Sequence, residues 1–350
     1  MKNLKNIFKI APVLALAFGG SAQALTINFN HAADMDARAL AGFQAAANRW
    51  SAVLHDDVTV NLNIGFSVLS PGVLGSTGST RGTLSYEEYR EALKADAWGA
   101  TDQAAISHLS NNKCLNVYMN GTAGNPNGAG SATPFLDNDC DANNQTIRMT
   151  WANARALGLT AAHDSTVDGS VSFSSTFNWD FNPDDGVDSN AFDFIGVATH
   201  EIGHALGFVS GVDTLDGNRG PQFLDSQFTY IAPADLFRCS TASKAAGADI
   251  DFSADSREKS FSFDNCDTTL ATFSTGVTYG DGRQASHWKD NLGIGILDPT
   301  AAYGEHMYIS AMDLKMYDAI GWNVVPEPGT FALLGFGLFG MFGLRRRNKA

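Results

Sequence analysis

Three residues, His200, Glu201 and His204, have the types and the spacing of a hydrolytic metal centre. On a helix, positions i and i+4 share one face, so two imidazoles four residues apart can reach the same ion. Glu201 lies beside the first histidine, where a carboxylate can take a proton from zinc-bound water. The pattern therefore predicts a zinc site in which His200 and His204 bind the metal and Glu201 is the catalytic base.

A helix must carry this motif, and the flanking sequence predicts one. Residues 190–199 are interpreted as its beginning, because Phe194, Val197 and Ala198 recur at helical spacing on one apolar face. Gly207 is a natural end, since glycine tolerates the left-handed backbone that often closes a helix.

A third protein ligand is needed, because a catalytic zinc has three ligands and one open position. Residues 200–207 complete the pattern His-Glu-x-x-His-x-x-Gly, which resembles the metzincins. In most of that clan a His or Asp follows three residues after the glycine. This position is Ser210 here, which is a poor zinc ligand, so the third ligand must lie elsewhere.

Residues 285–299, which begin Ala-Ser-His-Trp and end Leu-Asp-Pro, resemble the leishmanolysin-like metzincins. In those proteins an insertion separates the metal helix from a His-Trp ligand, and a methionine-containing turn follows. The resemblance covers the metal helix and residues 285–322, whose last part matches the families' closing helix. It implies that His287 is the third ligand. It also puts Leu297 at the turn position, with Met307 as the alternative.

Two other residues remain candidates for the third ligand. Asp213 lies six residues past Gly207 and can reach the metal only if the chain folds straight back. His306 lies near the turn but lacks the tryptophan that follows His287. The resemblance implies an α+β, zincin/metzincin-like catalytic domain over residues 25–324. Residues 213–286 are its probable insertion before the third ligand.

The two ends of the chain predict export. Residues 1–24 combine three lysines, an apolar run and a small-x-small cleavage site, which is typical of a secretory signal peptide. Residues 325–350 resemble a PEP-CTERM sorting tail of Gram-negative bacteria, with Val-Pro-Glu-Pro, an uncharged transmembrane stretch at 329–344 and three arginines. This resemblance implies transient membrane anchoring, cleavage by an exosortase and release to the cell surface or extracellular matrix.

The remaining body is strongly acidic. The chain has 23 Lys and Arg against 37 Asp and Glu, and the two ends hold seven of the basic residues but one acidic residue. A body with 20 excess negative charges argues against nucleic acid as a partner. Such a surface could attract Ca²⁺, and the loop that carries Asp180, Asp184, Asp185 and Asp188 is the candidate. A solvated acidic loop is the favoured interpretation.

Four cysteines lie in the body, and the nearest neighbours are Cys114 with Cys140 and Cys239 with Cys266. Export and proximity favour two local disulfides. Hydrophobic periodicity also predicts five further elements. They are a helix at 37–54, a strand at 58–64, a helix at 85–97, a loop at 121–130 and a strand at 171–177.

These observations together predict an exported zinc-dependent endopeptidase that acts on a protein or peptide substrate. Tyr303 and Tyr308 are candidates for stabilising the transition state. The alternative is a non-catalytic extracellular matrix or adhesion protein that retains a zinc site. An intact Glu201 argues against this alternative, because a structural zinc needs no base.

Overall fold

The computed structural model describes residues 25–324, so the predicted signal peptide and sorting tail lie outside it. The described chain mixes helices with several small sheets, which confirms the α+β class. Its helices are α1 (Ala37–Ser51), α2 (Tyr86–Asp96), α3 (Ala100–His108), α4 (Ala142–Gln145), α5 (Trp151–Ala156), α6 (Phe194–Leu206), α7 (Val212–Asn218), α8 (Thr241–Ala245) and α9 (Ala311–Ala319). Short 3₁₀ helices occur at Pro183–Asp185, Asp225–Gln227 and Pro233–Phe237.

The strands of residues 25–324 are short. They are β1 (Thr26–Asn30), β2 (Thr59–Ser67), β3 (Gly75–Ser79), β4 (Arg81–Ser85), β5 (Val117–Met119), β6 (Phe135–Asp137), β7 (Thr146–Thr150), β8 (Gly169–Ser174), β9 (Trp179–Asp180), β10 (Phe192–Asp193), β11 (Arg238–Cys239), β12 (Ile250–Asp251), β13 (Lys259–Phe261) and β14 (Ala271–Phe273).

The largest sheet has the strand order β1-β2-β8-β3. Its first three strands are parallel, and β3 pairs antiparallel with β8 at the edge. Helix α6 packs against α1, β3 and β8. The rings of Phe43 on α1, Phe173 on β8 and Phe194 on α6 meet with centroids 4.9–5.3 Å apart. This buried aromatic contact fixes the first turn of α6 on the sheet.

The metal-motif helix begins later than predicted. Residues 190–193 are not helical: Phe192 and Asp193 instead pair with β9, and α6 begins at Phe194. The Asp193 carboxylate accepts a hydrogen bond from the Gly196 N–H at 2.8 Å, which caps the helix. The predicted end is confirmed, since Gly207 adopts φ 130°. Apolar periodicity could not reveal the short strand, because two paired residues are too few to alternate.

The other predicted elements are present with small changes at their ends. The helices predicted at 37 and 85 are α1 and α2, and α2 begins with a capping box between Ser85 and Glu88. The strand predicted at 58–64 extends to Ser67 as β2. The strand predicted at 171–177 is β8, which ends at Ser174 because the Ser174 hydroxyl bonds to Thr176 within a turn.

Both disulfides are local, as predicted. Cys114 is bonded to Cys140 and Cys239 to Cys266, at sequence separations of 26 and 27 residues. The second disulfide lies inside segment 213–286, the predicted insertion. This segment is hydrogen-bonded to the rest of the body, because β12 pairs in parallel with β5. Its status as an insertion relative to a family stays a prediction.

No helix within residues 25–324 is long and apolar enough to span a membrane. The predicted transmembrane stretch at 329–344 lies outside the described residues.

Candidate active site

The structure brings His200, His204 and His287 together, although 83 residues separate the last two along the chain. The Nε2 atom of His204 lies 3.1 Å from that of His200 and 3.1 Å from that of His287. The remaining Nε2 pair, between His200 and His287, is 3.3 Å apart. Two of the clustered histidines therefore come from consecutive turns of α6 and the third from the segment before Trp288.

The opposite nitrogen of each ring is held by a backbone carbonyl. When Nδ1 carries the proton and donates this bond, the Nε2 lone pair is free to point into the cluster. Burial lowers the pKa of His204 to about 3 and also lowers that of His287, so both imidazoles are neutral. The carbonyl oxygens are those of Ile296 for His200 (2.7 Å), Phe208 for His204 (2.7 Å) and Gln284 for His287 (3.3 Å).

Asp213 positions the segment that carries His287. Its carboxylate accepts hydrogen bonds from the Ala285 N–H at 2.6 Å, from the Ser286 N–H at 3.2 Å and from the Ser286 hydroxyl. Asp213 is not one of the three clustered side chains. It therefore supports the third histidine rather than replacing it.

The floor beneath the cluster is apolar. Leu297 is fully buried, and its carbonyl accepts a hydrogen bond from the Trp288 N–H at 3.0 Å. Above it, Gly203 must be a glycine. A Cβ at this position would lie 2.7 Å from the Tyr317 hydroxyl and 3.3 Å from a Leu297 methyl. Leu297 thus packs against α6 near Gly203, and its equivalence to a metzincin turn residue stays a prediction.

Asp313, in the first turn of α9, links this floor to the clustered histidines. It accepts hydrogen bonds from the Trp288 indole N–H and the Ile296 N–H, both at 2.8 Å. Trp288 follows His287 in the chain, and the Ile296 carbonyl holds His200. One buried carboxylate therefore orients the surroundings of two of the three histidines. Sequence reasoning missed Asp313, since a single acid in a helix has no distinguishing pattern.

Glu201 lies beside the histidines with 8 % of its surface exposed. Its Oε2 accepts a hydrogen bond from the Thr77 hydroxyl at 2.7 Å, and a Cβ on Gly75 would come within 3.0 Å of Oε1. Burial raises the pKa of Glu201, whereas its electrostatic interaction with His200 and the bond from Thr77 lower that pKa in part. Strand β3 thus holds the carboxylate on the side of the cluster that faces the cleft.

A cleft of about 750 Å³ opens over the histidines and Glu201. Strand β3 and the following Arg81 form one wall. Segments 283–287 and 298–301 contribute to the remaining walls, with Phe177 and Phe192 adding apolar surface. A cleft of this size can admit an extended chain segment.

The remaining sequence candidates lie away from the cluster. His306 is exposed and does not join the other histidines. Tyr303 and Tyr308 are 56 % and 64 % exposed and do not line the cleft. Met307 reaches the cleft near the start of α6, where a Cβ on Gly196 would meet it.

The loop that carries Asp180, the candidate for calcium binding, has a carboxylate that bonds to its own backbone. The Asp180 carboxylate accepts hydrogen bonds from the backbone N–H groups of Asn182 and Asp188, at 2.8 and 2.9 Å. Among residues 25–324, the group of three or more potential metal ligands whose atoms lie close together is the three-histidine cluster, and the aspartates of this loop do not form such a group. Calcium binding stays a prediction.

The PEP-CTERM protein-sorting motif matches residues 324–347 of this chain. The match confirms the predicted sorting tail. It identifies an exported protein of a Gram-negative bacterium that is transiently anchored to the membrane and processed by an exosortase. No curated protein and no solved structure matches the chain.

Proposed function

We propose that this protein is a zinc-dependent endopeptidase of the zincin type, similar to the leishmanolysin-like metzincins and released to the cell surface or matrix. The observation that carries the proposal is the convergence of three buried imidazole nitrogens beside Glu201 at the base of an open cleft. Each of these features has a role in metal-assisted hydrolysis.

The donor set fits zinc. Three Nε2 lone pairs that face one another at 3.1–3.3 Å repel unless a cation lies between them. Ligand nitrogens around tetrahedral zinc are about 3.3–3.4 Å apart when each metal–nitrogen bond is about 2.0–2.1 Å. His200, His204 and His287 would hold the ion, and its fourth position would face the cleft. When bound there, zinc would polarise the scissile carbonyl and lower the pKa of a coordinated water.

Glu201 supplies the proton transfers. Its carboxylate would accept a proton from the attacking water and later donate it to the leaving amine. The Thr77 hydroxyl holds one carboxylate oxygen, which leaves the other free for the water. The order of these two transfers is that of peptide-bond hydrolysis, in which the amine must be protonated to leave.

Strand β3 favours a peptide as the substrate. It is the edge strand of its sheet, and its outer edge has no strand partner among residues 25–324. An extended peptide can add to such an edge through backbone hydrogen bonds, which recognise any sequence. The same strand carries Thr77, so a bound peptide would run directly past Glu201.

The test compares the exported protein with its Glu201→Gln variant. The wild type should cleave casein, and a chelator should abolish the cleavage. The variant should keep one zinc per chain by elemental analysis but lose turnover by at least about 100-fold, because an amide cannot accept the proton.

Two results would contradict the proposal. Turnover by Glu201→Gln at the wild-type rate would remove this residue from the mechanism. A zinc-loaded wild type that cleaves no unfolded protein would instead favour the alternative, a non-catalytic matrix or adhesion protein with a zinc site.

A further inference from the structure

The wall of the cleft is built from alternate residues of one extended segment. Thr77 donates to Glu201, and the Ser79 hydroxyl donates to the His204 carbonyl at 3.4 Å. Side chains two residues apart in an extended chain share a face and advance by about 7 Å. Arg81 is the next residue in this series, and it lines the same cleft beyond His204. The influence of Arg81 on the pKa of His204, which it lowers, agrees with this proximity.

The Arg81 guanidinium is half-buried, yet no hydrogen bond or ion pair engages it among residues 25–324. Burial lowers its pKa, but an arginine remains charged in proteins. Charged groups removed from water are normally paired, because desolvation is costly. A half-buried arginine without an ion pair is more unusual still in a body with 20 excess acidic residues.

The nearby carboxylates are already committed. Asp213 accepts bonds from Ala285 and Ser286, and Asp235 accepts bonds from the Ser210 hydroxyl and the Gly211 N–H. A second positive charge adds to the field. Arg148 of β7 lies diagonally across from Arg81 on the same face, where its guanidinium stacks on Tyr230 at 4.8 Å.

The other cation of the cleft behaves differently. Arg283 also lines the cleft, but its Nε lies 2.9 Å from the Asp290 carboxylate. Arg81 is therefore the cleft-lining arginine, among the described residues, that forms no ion pair, although the charges of Asp213 and Asp235 act on it through space.

We propose that Arg81 binds a carboxylate of the substrate, which makes the enzyme selective for peptides with an acidic residue, or a free C-terminus, beside the scissile bond. The inference rests on the proposed peptidase function and adds the substrate class. A guanidinium presents two parallel N–H donors that match a carboxylate, and such charge-assisted pairs are stronger than neutral hydrogen bonds. The peptide carboxylate supplies the direct ion-pair partner that Arg81 lacks among the described residues.

The experiment uses pairs of otherwise identical quenched fluorescent peptides. In the first kind of pair, the two peptides differ by Glu or Gln at one position that flanks the scissile bond, and each flanking position is tested in turn. In the second kind of pair, the two peptides differ by a free C-terminal carboxylate or an amide. For the wild type, kcat/KM should favour the acidic member of one pair by about tenfold or more. The first pair reports an acidic side chain and the second a free C-terminus.

Variants assign the preference to its residue. Arg81→Met should reduce the acidic-to-neutral ratio to about one, and Arg81→Lys should retain part of it because the charge remains. Arg38→Met is the matched control, since it removes an arginine that is exposed and ion-paired with Asp36 far from the cleft wall. This control should keep the wild-type ratio.

A binding measurement separates the two proposals. In the Glu201→Gln background, fluorescence anisotropy should give a lower Kd for the acidic peptide, and adding Arg81→Met should erase the difference. A wild type that cleaves both members equally, or an Arg81→Met ratio that is unchanged, would overturn the role of Arg81 and leave the peptidase standing. If the Glu201→Gln protein binds the acidic and neutral peptides equally and the wild type cleaves neither, both the role of Arg81 and the peptidase proposal would be overturned.

Discussion

At the scale of single residues, the hydroxyl of Thr77 tests how Glu201 is positioned. Thr77→Val keeps the shape of the side chain but removes the bond to the carboxylate, so kcat should fall by about tenfold while KM and zinc content stay unchanged. Thr77→Ser should restore most of kcat. A fall in kcat that serine cannot rescue would show that packing, rather than the hydrogen bond, is what matters.

The third ligand gives a second residue-scale prediction. His287→Ala should abolish stoichiometric zinc binding. Asp213→Ala should weaken zinc affinity by about 10–100-fold, because the segment that holds His287 loses its anchor. The exposed His306→Ala is the control and should bind zinc as the wild type does. Competition with a chromophoric chelator measures all three affinities. Normal affinity in Asp213→Ala would deny it a supporting role.

The sequence could reveal only part of this site. His200, Glu201 and His204 lie within one helix, so their spacing alone predicts their common face. His287 required a resemblance, since no local pattern links it to α6. Thr77 and Arg81 could not be predicted. Thr77 belongs to β3, a Gly-Ser-Thr-Gly-Ser strand without apolar alternation, and Arg81 is the first residue of β4. Only the pairing of β3 with β8 and of β4 with β7 brings these two residues to the cleft.

At the scale of elements, helices α2, α3 and α9 bring carboxylates together near the end of α1. Burial, reinforced by Asp56, raises the pKa of Asp96 to about 7. Burial, reinforced by Asp102, raises that of Asp318 to about 6. Between about pH 4 and pH 7 the folded chain therefore holds protons that the unfolded chain releases. By linkage, this contribution to stability is present at low pH and is lost as pH rises through these folded-state pKa values.

Asp96→Asn should accordingly raise the Tm at pH 7.5, raise it less at pH 5.5 and have little effect near pH 4. We expect a gain of roughly 1 kcal/mol after solvent screening, or about 2–4 °C. Calorimetry of both proteins in chelator separates this effect from metal binding. A lower Tm for the variant at pH 7.5 would mean that the ionised carboxylate stabilises the fold.

The element boundaries show why patterns succeed for some elements and fail for others. Helix α1 could be predicted because Phe43 and Trp50 face the core at helical spacing. The start of α6 could not be predicted, because the two residues before it form the short strand β10. Its partner β9 is equally short, so neither strand has a recognisable pattern. The small sheets of segment 213–286 were also missed, because their two- and three-residue strands depend on long-range pairing.

At the scale of the whole molecule, export should remove both ends. The mature protein should begin near Leu25 and lack Arg345, Arg346 and Arg347, since the signal peptide and the sorting tail are cleaved. Intact-mass measurement of protein recovered outside the cells decides the outcome. A secreted species that retains the three arginines would contradict processing of the tail. Deleting residues 329–344 should prevent membrane retention and serves as the control.

The closing bridge of the fold leaves the anchored protein a short tether. Val324 pairs with Leu54, and the Asn323 side chain donates to Asp56 at 2.9 Å. The sorting motif begins at the same residue, 324. Four residues, 325–328, separate this bridge from the predicted transmembrane stretch at 329–344. That length of chain spans about 18 Å at most, so the body stays close to the bilayer while it is anchored. Cleavage of the tail would remove this restraint. The released molecule could then approach large or fibrous targets from any direction, so processing would determine which targets the cleft can contact.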